Sequence, residues 1–142
     1  MLESICKTLG GWEFFHLLHP VIACLPMGLL MGGFLFFLTS LMIKSASLGQ
    51  TAYHCLMLAW ISLVPTGITG LLDWSYFYKS SIGGPILGKM ILLPLLFFLI
   101  GFVTWLMRRS IARPHRLVTG YLLCLNIALS LAYYGAQFLR HL

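Results

Sequence analysis

His16 and His19 lie three residues apart in FFHLLHPVIACLPMG (14–28), with Pro20 directly after the second, in an otherwise apolar stretch. Imidazole exchanges protons near neutral pH and ligates metals through its neutral ring nitrogen. At membrane depth such groups are costly and mark functional sites by default. Further groups of this kind are Asp73 and Trp74 in GLLDW (70–74), Lys89, and His141 after the last apolar run. Asp73 is expected to pair with Lys89, or to accept a proton from His19 and so fix its tautomer, as carboxylates beside ligand histidines do.

Three chemistries compete for this set. A hydrolytic triad lacks a nucleophile, because Ser75, Ser80 and Ser81 stand in no strained-turn motif and only Asp73 is near. Zinc prefers three or four ligands, and His16, His19, Asp73 and His141 are the only ones on offer. Haem b needs only one or two axial ligands and an apolar, aromatic cleft. Trp12, Trp74, Tyr76, Phe77, Tyr78, Tyr133 and Tyr134 could line one. His16 and His19 share a helix face and cannot bind one iron from opposite sides, so His19 is the expected ligand and His16 lines the mouth. A second ligand would be His141. The simpler alternative is that all these groups snorkel to water and serve no site.

These side chains must be carried by membrane helices. The 142 residues are 60% hydrophobic and 8% charged, against about 25% charged in soluble domains. The mean hydropathy is +0.95. Charges delimit the apolar runs: 30 uncharged residues from Glu13 to Lys44, 28 from Lys44 to Asp73, 18 from Lys89 to Arg108 and 23 from Arg116 to Arg140. Each suits a bilayer crossing of about 20 residues. The expected fold is an all-α, integral membrane four-helix bundle with helices near 15–43, 49–72, 87–107 and 116–138, forming a single domain with no room for a soluble one. Residues 2–9 carry Leu2, Ile5 and Leu9 at near-helical spacing, as a short interfacial helix would, with Trp12 at headgroup level. VIAC (21–24) loosely matches a lipidated-cysteine signal, but His16, His19 and Pro20 interrupt the preceding run, so the segment is expected to be retained.

The net charge of +6 does not point to nucleic acid, because Arg108, Arg109, Arg113 and Arg116 crowd one inter-helix link and Lys44 sits in another. The positive-inside bias places both links in the cytoplasm and both termini on the outer, periplasmic side. His16, His19, Asp73, Trp74, Lys89 and His141 then share the outer layer, and His54 lies at the opposite face. Pro20 fits the first turn of a helix, where its missing N–H costs nothing.

Helix association in lipid needs close backbone approach or polar contacts. Gly28 with Gly32, and Ala128 with Ala132 and Ala136, form small-x-x-x-small pairs; Ser62, Thr66, Thr69, Thr104 and Asn126 are expected as buried polar contacts. Pro26, Pro65 and Pro94 delete backbone bonds inside helices, and the Thr66 and Thr69 hydroxyls are placed to serve carbonyls freed near Pro65. Cys6, Cys24, Cys55 and Cys124 are far apart and form no C-x-x-C pair, so no disulfide framework is expected.

HPVIACLPMGLL (19–30) and GLLDW (70–74) resemble a bacterial family of small four-helix membrane proteins known as domain of unknown function number two-two-three-one. His19, Pro20, Pro26 and Gly28 match its first motif; Gly70, Leu71, Asp73 and Trp74 its second; Gly135 and His141 loosely its last. The resemblance implies a multi-pass protein of the bacterial inner membrane with a redox association. Where such proteins often carry further histidines, this chain has Cys24 and Lys89. The expectation is therefore a small membrane protein associated with electron transfer, holding haem b at its outer face. The alternative is a non-catalytic packing or anchor subunit of a larger membrane complex. The expected partners are the lipid bilayer and other membrane subunits.

Overall fold

A computed structural model describes residues 12–77, 84–109 and 114–139, with side chains over 19–72, 74–75, 86–109 and 114–134. The expected interfacial segment 2–9 lies outside them. Four helices follow in order: α1 (Trp12–Ile43), α2 (Ala46–Phe77), α3 (Gly84–Arg108) and α4 (Pro114–Leu139). Each contains a stretch long and apolar enough to cross a bilayer: His19–Ile43, Ala46–Leu72, Ile86–Arg108 and Pro114–Tyr134. Each helix packs against the next, and α1 closes on α4. The described residues contain no strand.

The link between α1 and α2 shows why the chain turns there. Lys44 adopts φ 54°, and the Ser45 N–H reaches back to the Ser40 carbonyl at 3.2 Å. This is the six-to-one bond of a Schellman cap, built on a lysine where glycine is usual. The Ser45 carbonyl then accepts from Gly49 N–H at 3.3 Å, and α2 is under way. So short a link forces α1 and α2 antiparallel, and their contact is the most extensive in the bundle.

Buried positions on each helix recur at alternating spacings of three and four, the seam of knobs-into-holes packing. They are Pro26, Leu30, Gly33 and Phe37 on α1; Ala52, Leu56, Ala59, Leu63 and Thr66 on α2; Leu96, Ile100 and Val103 on α3, with Thr104 buried beside Val103; and Tyr121, Cys124 and Ala128 on α4. The opposite faces carry large exposed hydrophobics, among them Leu35, Ile68, Phe98 and Leu129. In lipid that exposure is neutral.

Two glycines set the helix spacing. A Cβ on Gly33 would lie 3.2 Å from Cys55 Cβ and 3.4 Å from the Ala52 carbonyl oxygen, so α1 and α2 meet backbone to backbone there. A Cβ on Gly120 would lie 2.8 Å from Val103 Cγ2, where α4 meets α3. Tyr121, fully buried, joins all four helices at this end: its ring stacks on Phe37 at 5.4 Å, and its hydroxyl donates to the Ala52 carbonyl at 3.3 Å beside Met107 Sδ at 3.6 Å.

Two expectations about association fail. Gly28 and Gly32 have nothing within 4 Å of an added Cβ, so that pair faces outward and Gly33 makes the close approach. Asn126 is exposed, whereas Thr66 and Thr104 are buried as expected. In both cases apolar residues surround the helix, so depth was readable and the inward face was not.

Candidate functional site

At the end of the bundle away from the arginines, α1 and α2 are joined through His19. Its Nδ1 lies 2.9 Å from Thr69 Oγ1. The Thr69 hydroxyl has one hydrogen, and it faces its own helix, with the Pro65 carbonyl at 2.9 Å and the Thr66 carbonyl at 3.1 Å. With that hydrogen directed to its own helix the oxygen accepts from His19, which assigns the proton to Nδ1. The lone pair of this tautomer sits on Nε2, the nitrogen through which His19 would ligate a metal or take up a proton.

Glycine makes room for the ring. A Cβ on Gly70 would fall 3.2 Å from His19 Cε1, so the imidazole lies against the backbone of α2. One turn deeper, Thr66 donates to the Ser62 carbonyl at 2.8 Å and lies 3.5 Å from the Ile22 carbonyl of α1. These threonines do not serve the carbonyl that Pro65 frees, which by helical geometry is that of Ile61. They bond to Ser62 and Pro65 instead, because a threonine hydroxyl reaches back four residues along its own helix.

Pro20 is not at a helix start. α1 begins at Trp12, so the His-Pro pair sits about two turns inside it. The apolar, aromatic residues before His19 extend the helix because the cost of one missing bond, at residue 16, is smaller than that of unwinding two turns near the membrane. Likewise α2 runs past Asp73 and Trp74 to Phe77, and α3 begins five residues before Lys89, at Gly84.

Of the expected site residues, His19, Trp74 and Lys89 have described side chains, each half-buried. The side chains of His16 and Asp73, and all of His141, lie outside the described residues. The partner at His19 Nδ1 is Thr69; the expected link from Asp73 to Lys89 or to His19 rests on a side chain outside the described residues. Thr69 stands four residues before Asp73, one turn deeper on the same face. A helix-interior glycine beside it, Gly70, was the signal, since such a glycine calls for a packing reason. Lys89 stands beside Gly88, where a Cβ would touch the Tyr134 ring at 3.4 Å, so α3 and α4 are close there too.

His54 is in another environment. It is exposed, its Nδ1–H donates to the Gln50 carbonyl at 2.7 Å, and its ring meets Tyr53 edge-on at 5.5 Å. Counting residues from 54 to 69 along α2 puts it about 22 Å from Thr69.

No three histidine, cysteine or carboxylate side chains come together among the described residues. Among the described residues His19 is the one imidazole at this end; it could serve as a ligand to a haem iron and does not by itself make a zinc site.

The basic residues gather at the opposite end, where Lys44, Arg108, Arg109, His115 and Arg116 are all exposed. Arg109 lies over the Trp105 ring with its guanidinium carbon 4.6 Å from the centroid, an aromatic–cation pair suited to the headgroup layer.

No curated protein and no solved structure matches this chain. A family match covers residues 15–139. It takes in all four helices, His19 with its Thr69–Gly70 support, and the GLLDW segment, and so the chain belongs to the family described as predicted membrane protein (DUF2231).

Proposed function

We propose that this membrane protein is a small redox protein of the bacterial inner membrane that holds haem b at its outer face through His19. The observation that carries this reading is the His19 Nδ1–Thr69 bond at 2.9 Å, which orients the ring and leaves the lone pair on Nε2. Haem would supply one-electron transfer. The chain's own contribution is to bind and orient: His19 ligates, Thr69 holds its proton, and Gly70 leaves space for the ring. Trp74 on α2 and Lys89 on α3 belong to the same end of the bundle, His16 and Asp73 lie on the helices that carry His19 and Thr69, and His141 would be the candidate second ligand. Both termini are assigned to the periplasm, since the exposed basic residues at the other end favour the cytoplasm.

An absorption spectrum of the purified protein with and without dithionite tests the proposal. A haem difference signal lost in His19→Ala and kept in His54→Ala supports it. A protein with no chromophore, or one whose signal survives the loss of His19, removes it. Impermeant labelling of Ser110→Cys from the outer side would overturn the orientation.

A second reading, a non-catalytic subunit of a larger membrane complex, is favoured by the open Gly28–Gly32 face, where an added Cβ would meet nothing within 4 Å. Close backbone approach by another helix is what such a face permits. Stoichiometric co-purification with other membrane polypeptides, without a chromophore, is its expected signature.

A further inference from the structure

We propose that the protein forms a two-fold homodimer through α4, in which Asn126 hydrogen-bonds to the partner's Asn126. This does not depend on the haem reading.

Asn126 is a polar side chain poorly suited to where it stands. It is exposed on the lipid side of α4, and its amide makes no hydrogen bond among the described residues; only its backbone carbonyl is engaged, by Ser130 Oγ at 2.9 Å. α4 runs from Pro114 to Leu139. By residue count Asn126 is about 18 Å from one end and about 20 Å from the other, near the middle of the helix. Lipid tails at that depth offer neither donor nor acceptor. Lipid headgroups, which could bond an amide, lie at the two ends.

The surrounding residues form a helix-packing seam. Thr119, Leu122, Asn126, Leu129 and Tyr133 are all exposed and are spaced three, four, three and four apart. They lie opposite Tyr121, Cys124 and Ala128, the inward face. This is the spacing of a left-handed pair of helices, in which one buried asparagine sets register and partner number. Beside the seam a groove of about 450 Å³ opens between α3 and α4, lined by Leu92, Asn126, Leu129, Ser130, Tyr133 and Tyr134, into which side chains of a facing helix can fit.

The amide selects a second copy as occupant. A carboxamide both donates and accepts, so it is its own complement. Every copy inserts with the same orientation, and a two-fold axis along the membrane normal therefore brings each residue of α4 against itself at equal depth. Asn126 then meets Asn126 without any search for register. His115 and Arg116, which approach their counterparts at the exposed end of α4, are in water there, where salt screens their repulsion.

The test uses the full chain in lipid vesicles. Energy transfer between two labelled populations, followed on dilution into lipid, gives the dimerisation constant. Asn126→Leu is expected to weaken dimerisation about tenfold, the loss of two interhelical bonds of modest strength. Asn126→Gln, which keeps the amide, should stay within about threefold. A second measurement guards against misfolding: oxidative cross-linking of single introduced cysteines in a Cys6→Ala, Cys24→Ala background, with that background, which keeps half-buried Cys55 and buried Cys124, as the baseline. Leu122→Cys and Leu129→Cys should give cross-linked dimers, and Ile68→Cys, exposed on α2, should not. A chain that stays monomeric at every dilution overturns the proposal. So does a dimer indifferent to Asn126→Leu, a cross-link at Ile68→Cys as efficient as at Leu129→Cys, or a Leu129→Cys cross-link to a different polypeptide.

Discussion

Replacing Thr69 by valine removes the oxygen that receives His19 Nδ1–H at 2.9 Å while keeping the side-chain volume. The hydroxyl has bonds of two kinds to lose. Those to the Pro65 and Thr66 carbonyls, at 2.9 and 3.1 Å, lie within α2 and are lost whatever residue stands at position 19. The one between helices exists only while His19 is present. A double-mutant cycle of Thr69→Val, His19→Ala and the pair therefore isolates the interhelical bond. Such bonds in membrane proteins average about 0.6 kcal/mol and reach about 1.7. His19 is half-buried and stands about two turns inside α1, so the expected coupling is about 0.6–1 kcal/mol. Reversible unfolding in mixed micelles at increasing dodecyl sulfate fraction supplies the free energies. Imidazole nitrogen shifts supply an independent readout: the parent should show the proton on Nδ1, and Thr69→Val a mixture of tautomers. A coupling below about 0.3 kcal/mol, the range in which unconnected sites simply add, would refute the bond as the link between α1 and α2. A parent imidazole protonated on Nε2 alone would refute the tautomer.

Three further outcomes follow from the packing. Gly120→Ala places a Cβ 2.8 Å from Val103 Cγ2, and a β-branched side chain on a helix has little freedom to yield. A net loss of about 1–2 kcal/mol in the same unfolding assay is expected, largely relieved in the Gly120→Ala, Val103→Ala pair. Gly28→Ala, with nothing within 4 Å of the new methyl, should leave stability unchanged or raise it by up to about 1 kcal/mol through helix propensity; a clear loss would show that the face is covered. Tyr121→Phe removes the hydroxyl that donates to the Ala52 carbonyl at 3.3 Å and should cost about 0.5–1.5 kcal/mol, with no effect if that bond carries no weight.

Much of the site's position was readable in advance. His19 could be placed near one membrane surface from its distance to the charges that end each apolar run, and His54 at the other by the same count. The support at Nδ1 was not readable, because residue counting fixes depth only to about a turn and does not single out Thr69 on α2. Nor was the start of α1, which lies at Trp12 and not at His-Pro.

The sequence alone determined that four helices cross a bilayer, because a hydrocarbon slab admits only long uncharged runs and the few charges cut this chain into four of them. It could not determine which side of each helix turns inward. In water an apolar stripe answers that question, but here apolar residues surround every helix, since lipid and protein interior make the same demand. The tertiary structure decided it through contacts that depend on shape and hydrogen bonding: Gly33 against the Ala52 carbonyl, Gly120 against Val103, Tyr121 among four helices, and His19 on Thr69 over Gly70. By the same geometry Gly28, Gly32 and Asn126 were turned outward, where hydropathy alone has no means of placing them.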